Sequence, residues 1–413
     1  MVYFIIYLIV FSWLITRLRF FINTGLPKNT IIFLFFIKIA AAVIYFQFHS
    51  LPAYKDRSDT WKFYNNSLTE TKLLKADPVK FITNFFQSNY NDNGGLFSAQ
   101  NSYWNDVKDA SIIKLMAVFN LFTGGNYYTN IIFFNFLFFI GMIAFYRLLK
   151  SIYPDKYYSL IITIFLIPSF LFWCSGIHKD GLLFSAIGLM FFCFHRLLSK
   201  VRCIQSIVII IACLLVIFFL RNYFVMVLLP AMLVGTVISL VPKQKTFILL
   251  VSVVAGMALI FSLKHIHPSL DIPQYIAEKQ HQFKALEGNS DIDTDLLKPN
   301  FKSFIYALPA AIDLGFFRPH PDEKGMMSVF ASVEIILFWL IFILCFIYRK
   351  KYFSYPPVII TIWIFAFLTL LIIGYTVHFS GAVVRYRSLV MPLILAPMVG
   401  VISTRSNIIK KYM

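Results

Sequence analysis

The chain of 413 residues is 59% hydrophobic and 14% charged, whereas soluble domains carry about a quarter charged residues, so the composition excludes a soluble globular protein. A net charge of +18 would suggest nucleic-acid binding in a soluble protein, but here the basic residues collect in short loops between apolar runs. The charge therefore argues against a nucleic-acid partner and for a lipid bilayer.

About eleven apolar runs approach the roughly 20 residues that a membrane-spanning helix needs. They lie near 2–16, 29–48, 127–146, 157–174, 181–195, 204–220, 222–241, 246–264, 328–348, 356–375 and 386–403. The sequence therefore predicts an all-α integral membrane protein with about eleven transmembrane helices, arranged as one polytopic domain over residues 1–413. The first run lacks a preceding basic stretch and a cleavage site, so it predicts a retained span.

Every second loop of this scheme is short and basic. Its basic residues are Arg17, Arg19, Lys28, Arg147, Lys150, Lys156, Arg196, Lys200, Arg202, Lys243, Lys245, Arg349, Lys350, Lys351, Arg405, Lys410 and Lys411. The positive-inside rule places these loops in the cytoplasm, with the N-terminus outside and the C-terminus inside. Nearly all carboxylates then lie at the outer face, where two long loops cover about 51–126 and 265–327. Any chemistry is therefore expected outside.

The first long loop contains the segment YKDRSDTWKFYNNS, in which Asp59 follows the second span and precedes several aromatic residues. This pattern places the carboxylate at the level of the lipid headgroups. Asp77 before Pro78 is typical of a helix start. A later apolar stretch, with Asp106 and Asp109 at its start, is too short to span a bilayer. Both segments predict interfacial helices on the membrane surface.

The segment FWCSGIHKDGLLF, residues 172–184, places His178 and Lys179 on a tight hairpin between two apolar runs. The following run begins at Asp180 or Gly181, so the hairpin lies at a helix N-terminus, where backbone N–H groups and the helix dipole favour an anion. In the alternative interpretation Asp180 only caps the helix and Lys179 only anchors it at the interface.

The second long loop contains GNSDIDTDLLKPN, whose alternating Asp291, Asp293 and Asp295 lack the glycine and the final glutamate of a calcium-binding EF-hand loop. A solvated acidic turn is the better interpretation, and no cofactor or metal site is predicted. Because the chain has many carboxylates, binding of a divalent cation stays an open alternative. Further on, Arg318 and His320 lie on either side of Pro319 in a polar corner and are additional outer-face candidates.

Three arginines occupy unexpected places. Arg385 and Arg387 fall at the outer end of the last run, which is its N-terminal end, and Arg221 falls at an outer turn between two runs. Both the positive-inside rule and the helix dipole disfavour arginine there. The guanidinium fork suits a phosphate or carboxylate, so a fixed anionic partner is one interpretation. Pairing with carboxylates of the long loops is the other.

Three segments together, RSDTWKFY, PSFLFWCSGIHKDGLLF and RYRSLVMPL, resemble the polytopic C-type glycosyltransferases, which take sugars from polyprenyl-phosphate carriers. The resemblance implies a polyprenyl-phosphate-linked sugar as donor, a glycan or lipid as acceptor, and the bacterial inner (plasma) membrane as location. It also implies Asp59 as catalytic base, with Lys179, Arg385 and Arg387 around the carrier phosphate; Arg221 is added as a further phosphate-binding candidate.

The sequence departs from this family in two ways. Asp56 and Asp59 are three residues apart rather than forming a compact acidic pair, and the acidic loop follows the second span rather than the first. Asp106 and Asp109 therefore stay open as alternative bases. The chain also resembles O-antigen polymerases and related exopolysaccharide polymerases, which use polyprenyl-diphosphate-linked repeats. That resemblance implies instead a site of arginines and histidines: Arg221, Arg385, Arg387, His178 and His320.

Two other classes stay open. A transporter or flippase of lipid-linked sugars would hold its polar groups at mid-membrane depth along a pathway of broken helices. Here only Lys38 and Glu334 are charged near the middle of a predicted span. A structural subunit would explain the interfacial helices but not the misplaced arginines.

Overall fold

The computed structural model describes residues 2–56, 58–88, 103–285, 292–323, 326–349 and 354–402. Its regular structure is helical, and within these ranges the β-structure consists of isolated bridge residues, among them the pair Arg349 and Ile402. The predicted all-α architecture is confirmed. Asp291 of the acidic turn and five of the predicted loop cations lie outside the described residues: Lys350, Lys351, Arg405, Lys410 and Lys411.

The chain divides into two compact units, Met1–Val225 and Met226–Met413. Eleven α-helices lie wholly within the first unit: α1 Val2–Arg17, α2 Arg19–Ile22, α3 Lys28–His49, α4 Pro52–Lys55, α5 Asp59–Ala76, α6 Pro78–Thr83, α7 Tyr103–Thr123, α8 Tyr127–Ile152, α9 Tyr157–Phe165, α10 Pro168–Ser175 and α11 Lys179–Leu198. The next helix, α12, runs over Cys203–Leu240. The prediction of a single polytopic domain stays a prediction.

The second unit contains seven further α-helices: α13 Lys245–Ser262, α14 Ile272–Lys284, α15 Phe301–Ile312, α16 Met326–Tyr348, α17 Pro357–Thr376, α18 Ser380–Ser388 and α19 Met391–Val401. A π-helical segment, Asp313–Phe317, follows α15 directly. Short 3₁₀ turns complete both units: Asn84–Phe86, Pro242–Gln244, Leu263–His265 and Pro268–Leu270.

Seven helices of the described chain are long and apolar enough to cross a membrane, or up to nine if each of two bent pairs is one span. The seven are Lys28–His49, Tyr127–Ile152, Lys179–Leu198, Cys203–Leu240, Pro242–His265, Met327–Tyr348 and Pro357–Thr376. None of the apolar window in Pro242–His265 is buried within the protein, whereas 72% of the window in α8 is. Such apolar surface is typical of helices that face lipid.

Two predicted spans are broken rather than continuous. The run at 157–174 is divided into α9 and α10, which meet at 50°, and the last run is divided into α18 and α19, which meet at 55°. Pro168 and Pro392 lie in the first turn of α10 and α19. Proline has no N–H for the helical ladder and disfavours helical geometry in the preceding residue, so α10 begins at Pro168 after the extended Ile167, whereas α19 begins one residue before Pro392. The count of eleven spans stays a prediction.

The core of the first unit is built around α8. Its buried side chains include Phe134, Phe138, Phe139 and Phe145. A different face of α8 packs directly against α11. A Cβ on Gly141 would lie 2.1 Å from the Cα of Ser185. Likewise a Cβ on Gly188 would lie 2.4 Å from the carbonyl oxygen of Gly141. Small residues thus allow the two backbones to touch, as is common in membrane helix pairs.

The described part of the first long loop folds into helices, none of which is long and apolar enough to be a candidate span. Asp77 caps α6, with its side chain accepting the Lys80 N–H, and Pro78 is the first helical residue, so this predicted start is confirmed. The helix α7 ends where Gly124 and Gly125 take φ of +64° and +76°. Such left-handed geometry favours glycine. The position of these loop helices on a membrane surface stays a prediction.

The second unit has α17 at its centre. A Cβ on Gly374 would lie 1.9 Å from the carbonyl oxygen of Ala311, so α15 and α17 also touch through a glycine. The hydroxyl of Tyr375 donates to the carbonyl of Phe304 at 2.8 Å and closes a small core between these helices.

Candidate functional site

The hairpin between α10 and α11 is held in place by two buried polar side chains from other helices. Lys38 of α3 donates to the carbonyl of Cys174 at 2.8 Å and to the hydroxyl of Ser175 at 3.1 Å. Asn135 of α8 donates to the carbonyl of Ser175 at 2.9 Å. Because the last carbonyls of a helix have no partner within it, these donors satisfy the end of α10 and fix where the hairpin begins.

His178 forms the N-cap of α11. Its Nδ1 accepts the backbone N–H of Asp180 at 3.4 Å, and the residue is 1% exposed. The prediction that His178 and Lys179 lie at a helix N-terminus is confirmed. The helix starts at Lys179, one residue earlier than expected, so the alternative that Asp180 is the cap is wrong. Asp180 instead lies in the first turn, where the helix dipole favours a negative charge.

Asp59 is the first residue of α5, and its carboxylate reaches the hairpin. Its Oδ2 lies 2.9 Å from Nε2 of His178. The Asp59 side chain is 46% exposed, whereas the His178 side chain is 2% exposed. The structure therefore brings together two residues that the sequence proposed as catalytic. A buried imidazole holds one oxygen of a half-exposed carboxylate.

The buried side of the imidazole continues into an ion pair. Oδ2 of Asp180 lies 3.2 Å from Nδ1 of His178, and Oδ1 of Asp180 lies 2.5 Å from Nη2 of Arg221. Arg221 therefore has a carboxylate partner, as one of the two interpretations held, but that partner is in the hairpin and not in a long loop. We call Asp59, His178, Asp180 and Arg221 the Asp59–His178 cluster.

The backbone explains how Arg221 reaches the hairpin. It is a residue of non-helical geometry within α12, with φ of −151° and ψ of 85°, at the position where the sequence predicted a turn. Its Nη1 donates to the hydroxyl of Tyr223 at 3.1 Å. Its guanidinium carbon lies 5.7 Å from the ring centre of Phe224. These contacts orient the arginine toward Asp180.

Within the cluster, the imidazole of His178 lies between the carboxylates of Asp59 and Asp180, and Asp180 in turn pairs with Arg221. A proton on Nε2 of His178 is donated to Asp59, and Nδ1 then accepts the backbone N–H of Asp180. An imidazole protonated on both nitrogens donates to the carboxylates of Asp59 and Asp180 together. In both states one carboxylate oxygen of Asp59 accepts a hydrogen bond from the imidazole, while the Asp59 side chain stays half-exposed.

Beside this cluster, Asp109 of α7 bridges two lysines. Its Oδ2 lies 2.8 Å from Nζ of Lys62, and its Oδ1 lies 2.8 Å from Nζ of Lys179. Burial alone would raise the pKa of the Asp109 carboxyl, but the ammonium groups of Lys179 and Lys62 hold it below its ordinary value. Lys62 is three residues after Asp59 on α5, so both side chains project from the same helix face. We call Lys62, Asp109 and Lys179 the lysine bridge.

Asp106, the other proposed catalytic carboxylate, lies in the first turn of α7, one turn before Asp109. Its Oδ2 accepts a hydrogen bond from the hydroxyl of Ser88 at 2.6 Å, and the residue is half-buried. Its catalytic role stays a prediction.

The second unit holds its own group of charges around the polar corner. Asp313 accepts from Nε of Arg318 at 2.8 Å and lies 2.9 Å from Nε2 of His320. Arg318 also pairs with Glu323 at 3.1 Å. Burial alone would raise the pKa of the Asp313 carboxyl, but the hydrogen bonds from Arg318 and His320 keep it below its ordinary value. We call Asp313, Arg318, His320 and Glu323 the second-unit cluster.

The arginines Arg385 and Arg387 lie in the last turn of α18 and not at a helix N-terminus. The expectation that they oppose the helix dipole is therefore wrong, because a separate helix begins before them at Ser380 and its C-terminal end favours cations. Arg387 is 4% exposed and its Nη1 donates to the carbonyl of Arg318, which ties it to the second-unit cluster. A cavity shared by these arginines with Asp59 and Lys179 stays a prediction.

Sequence reasoning missed the partners within the site. It proposed Lys179 and Arg221 for a phosphate but not their pairing with Asp109 and Asp180, and it did not propose Lys62. One signal was available for Lys62, since a lysine three residues after a candidate base on a helix shares its face. In the described part of the chain, no three His, Cys, Asp or Glu side chains gather closely enough to hold a metal ion.

Comparisons of this chain with protein-family models, with curated proteins and with solved structures find no match.

Proposed function

We propose that the chain is a membrane glycosyltransferase that acts at the outer face of the bilayer and transfers a sugar from a polyprenyl-phosphate-linked donor to a glycan or lipid acceptor. The observation that carries the proposal is the half-exposed carboxylate of Asp59, held at 2.9 Å by the buried imidazole of His178. General bases need such a fixed position, within reach of the proton that they remove.

The chemistry assigns each part a task. The carboxylate of Asp59 takes the proton of the acceptor hydroxyl while that oxygen forms a bond to the anomeric carbon of the donor sugar. The bond from this carbon to the phosphate oxygen breaks, and the carrier phosphate leaves with the electron pair. The sugar passes through a cationic state, as in other glycosyl transfers. A carboxylate fixed beside this cation lowers the activation barrier, because it is already in position and because its negative charge stabilises the cation.

The leaving phosphate requires cations, and the lysine bridge supplies two within the same unit. Lys62 is on the same face of α5 as Asp59, and its side chain is 59% exposed. Lys179 directly follows His178 and is 19% exposed. Asp109 neutralises one of the two positive charges, so the lysine bridge keeps a net positive charge for the phosphate. Asp180 likewise neutralises the positive charge of Arg221. This pairing supports a positioning role for Arg221.

The proposal includes a topology of eleven spans, with the N-terminus outside and the C-terminus in the cytoplasm. Counting α1 and dividing α12 at Arg221 turns the nine candidate spans into eleven. In a variant without native cysteines, a cysteine at Lys200 should react with an impermeant reagent only after permeabilisation. A cysteine at Asp293 should react in intact cells. The reverse pattern would contradict the topology.

The function itself is tested in proteoliposomes that carry the purified chain, radiolabelled polyprenyl-phosphate sugars and a short polyprenyl-linked glycan acceptor. The expected result is labelled product together with free polyprenyl phosphate, released in equal amounts. Movement of intact donor between the leaflets without cleavage would support a flippase instead. If no donor is cleaved or moved, with any acceptor tried, the remaining interpretation is a structural subunit.

A polymerase of polyprenyl-diphosphate-linked repeats is the second candidate, and the second-unit cluster favours it. Here His320 and Arg318 share the carboxylate of Asp313, and the buried Arg387 contacts the carbonyl of Arg318. A polymerase that relies on this cluster would lose glycan growth on His320→Gln or Arg387→Lys, since lysine lacks the guanidinium fork. It would be little affected by Asp59→Asn. For a transferase we expect the opposite: Asp59→Asn abolishes activity, whereas His320→Gln and Arg387→Lys have little effect.

A further inference from the structure

A cavity of about 390 Å³ lies in the first unit, at the far end of α11 from the Asp59–His178 cluster. Polar and basic side chains line it, among them Asn23, Arg147, Lys150, Ser151, His195 and Arg196. Small-molecule sites begin at about 300 Å³, so the cavity has room for a small polar group.

The lining is strongly basic and has no acidic side chain. Within the described parts of the chain, none of Arg147, Lys150 and Arg196 makes an ion pair. This distinguishes them from Lys179, Arg221 and Arg318, for which the structure provides carboxylates. Cations that surround one cavity without an anion repel each other, and a bound anion would remove that cost.

Both arginines make cation–π contacts with aromatic rings. The guanidinium carbon of Arg147 lies 5.1 Å from the ring centre of Phe20 and 4.9 Å from that of Phe192. The guanidinium carbon of Arg196 lies 5.7 Å from the same Phe192 ring. Such cation–π contacts restrain a guanidinium, and its N–H groups form a fork that matches phosphate oxygens.

One donor of Arg196 gives an independent indication of a ligand. Its Nη2 is buried and has no hydrogen-bond partner among the described residues. A buried guanidinium nitrogen without an acceptor is costly and uncommon. An acceptor oxygen bound in the cavity would satisfy it.

The depth of the cavity suggests where that oxygen comes from. Arg196 is in the last turn of α11, and His178 caps the first turn. Seventeen residues of α-helix separate Lys179 from Arg196, which is about 26 Å along a straight axis. The hydrocarbon core of a bilayer is about 30 Å thick, so the cavity lies at the headgroup level of the other leaflet if Asp59 lies at the first.

We propose that this basic cavity binds a phosphate group. The arginine forks of Arg147 and Arg196 contact its oxygens, and Lys150 contributes charge. The phosphate belongs either to an anionic phospholipid of the bilayer or to a soluble phosphate compound. The site is separate from the proposed sugar-transfer site and does not depend on that function.

The test uses the full-length chain in a non-ionic detergent, with its thermal unfolding followed during titration. Three probes are compared: short-chain phosphatidylglycerol, the matching diacylglycerol without phosphate, and inorganic phosphate. Saturable stabilisation by phosphatidylglycerol alone identifies a lipid headgroup site, and stabilisation by inorganic phosphate as well identifies a site for soluble phosphates. No stabilisation by either, or equal stabilisation by diacylglycerol, overturns the proposal.

Two variants with the same change of charge separate the cavity from general attraction. Arg196→Gln should weaken binding about tenfold, which corresponds to ~1.4 kcal/mol. Arg19→Gln removes an exposed arginine that does not line the cavity and should change binding less than about twofold. Equal weakening by both would overturn the proposal. If Arg196→Gln does not fold, Lys150→Gln takes its place, with a loss of several-fold expected and no loss contradicting the site.

Discussion

Nε2 of His178 lies 2.9 Å from Oδ2 of Asp59, although 119 residues separate the two along the chain. The imidazole is buried and the carboxylate is half-exposed, so the hydrogen bond joins the interior of the first unit to its surface. Behind the imidazole, Asp180 and Arg221 form a buried ion pair. The arrangement fixes a carboxylate where an external molecule can reach it, and this is the geometric basis of the proposed transfer reaction.

The role of His178 as a positioning residue can be separated from a purely structural one. His178→Phe removes the hydrogen bond to Asp59 while keeping a planar ring, and misplacement of a base by about 1 Å can cost on the order of 10²-fold in rate. We expect kcat to fall by about this factor with KM little changed. His178→Gln, which keeps a donor, should recover part of the loss. Equal kcat values for the two variants would contradict a positioning role.

The pair of Asp180 and Arg221 should behave as a coupled unit. Removing one member of a buried ion pair leaves the other unpaired and costs about 3–5 kcal/mol. We therefore expect Asp180→Asn and Arg221→Met each to lower the free energy of unfolding strongly, and the double variant to lose less than their sum by about 1–3 kcal/mol. Unfolding in mixed micelles measures all four proteins. Strict additivity would mean that the two side chains are not paired.

The lysine bridge gives a pH dependence of known sign. The pKa of Asp109 lies below its ordinary value in the folded state, so its pairing stabilises the fold above the unfolded pKa of about 3.9. This stabilisation is lost as the pH falls through the lower, folded pKa. The stability difference between the native chain and Asp109→Asn should be constant near neutral pH and shrink below pH of about 4. A difference that stays constant down to pH of about 2 would contradict the pairing.

The close approach of α8 and α11 should tolerate no side chain at Gly141. A Cβ there would meet backbone atoms of Ser185, which cannot move away as a flexible side chain could. Gly141→Val should therefore destabilise by at least about 1–3 kcal/mol, the usual cost of overpacking, and should displace the hairpin that α11 carries. Gly256→Val is the matched control, since no atom lies within 4 Å of its Cβ position. Equal unfolding temperatures for the two variants would contradict the packing.

Much of the helical framework could be predicted because apolar runs of about 20 residues and basic loops are strong local signals. The cap at Asp77 and the hairpin at His178 followed from the same local chemistry. Pro168, the first residue of α10, marks the break in one predicted span, a local signal that the apolarity of the run conceals. The dipole expectation for Arg387 failed for a related reason, because the helix that contains it begins at Ser380 in a less apolar stretch.

The pairing within the site could not be predicted in the same way. Asp59 and His178 were each proposed from local pattern, but which carboxylate meets which cation depends on how distant helices pack. Asp180 and Arg221 are 41 residues apart, and Lys179 and Asp109 are 70 apart. Sequence spacing gives no direct measure of such contacts. Lys38 shows the same limit, since the sequence marks only its charge near mid-span, whereas the structure shows that it holds the end of α10.

The most direct test of the central claim compares Asp59→Asn with Asp56→Asn in proteoliposomes, with donor binding and sugar transfer measured on the same preparations. Asp56 is an exposed carboxylate in the same loop, so its variant makes the same chemical change outside the cluster. We expect Asp59→Asn to lower transfer by about 10²–10⁴-fold, the usual contribution of a general base, with donor affinity nearly unchanged and Asp56→Asn fully active. Normal transfer by a folded, inserted Asp59→Asn protein would contradict the assignment of Asp59 as the base.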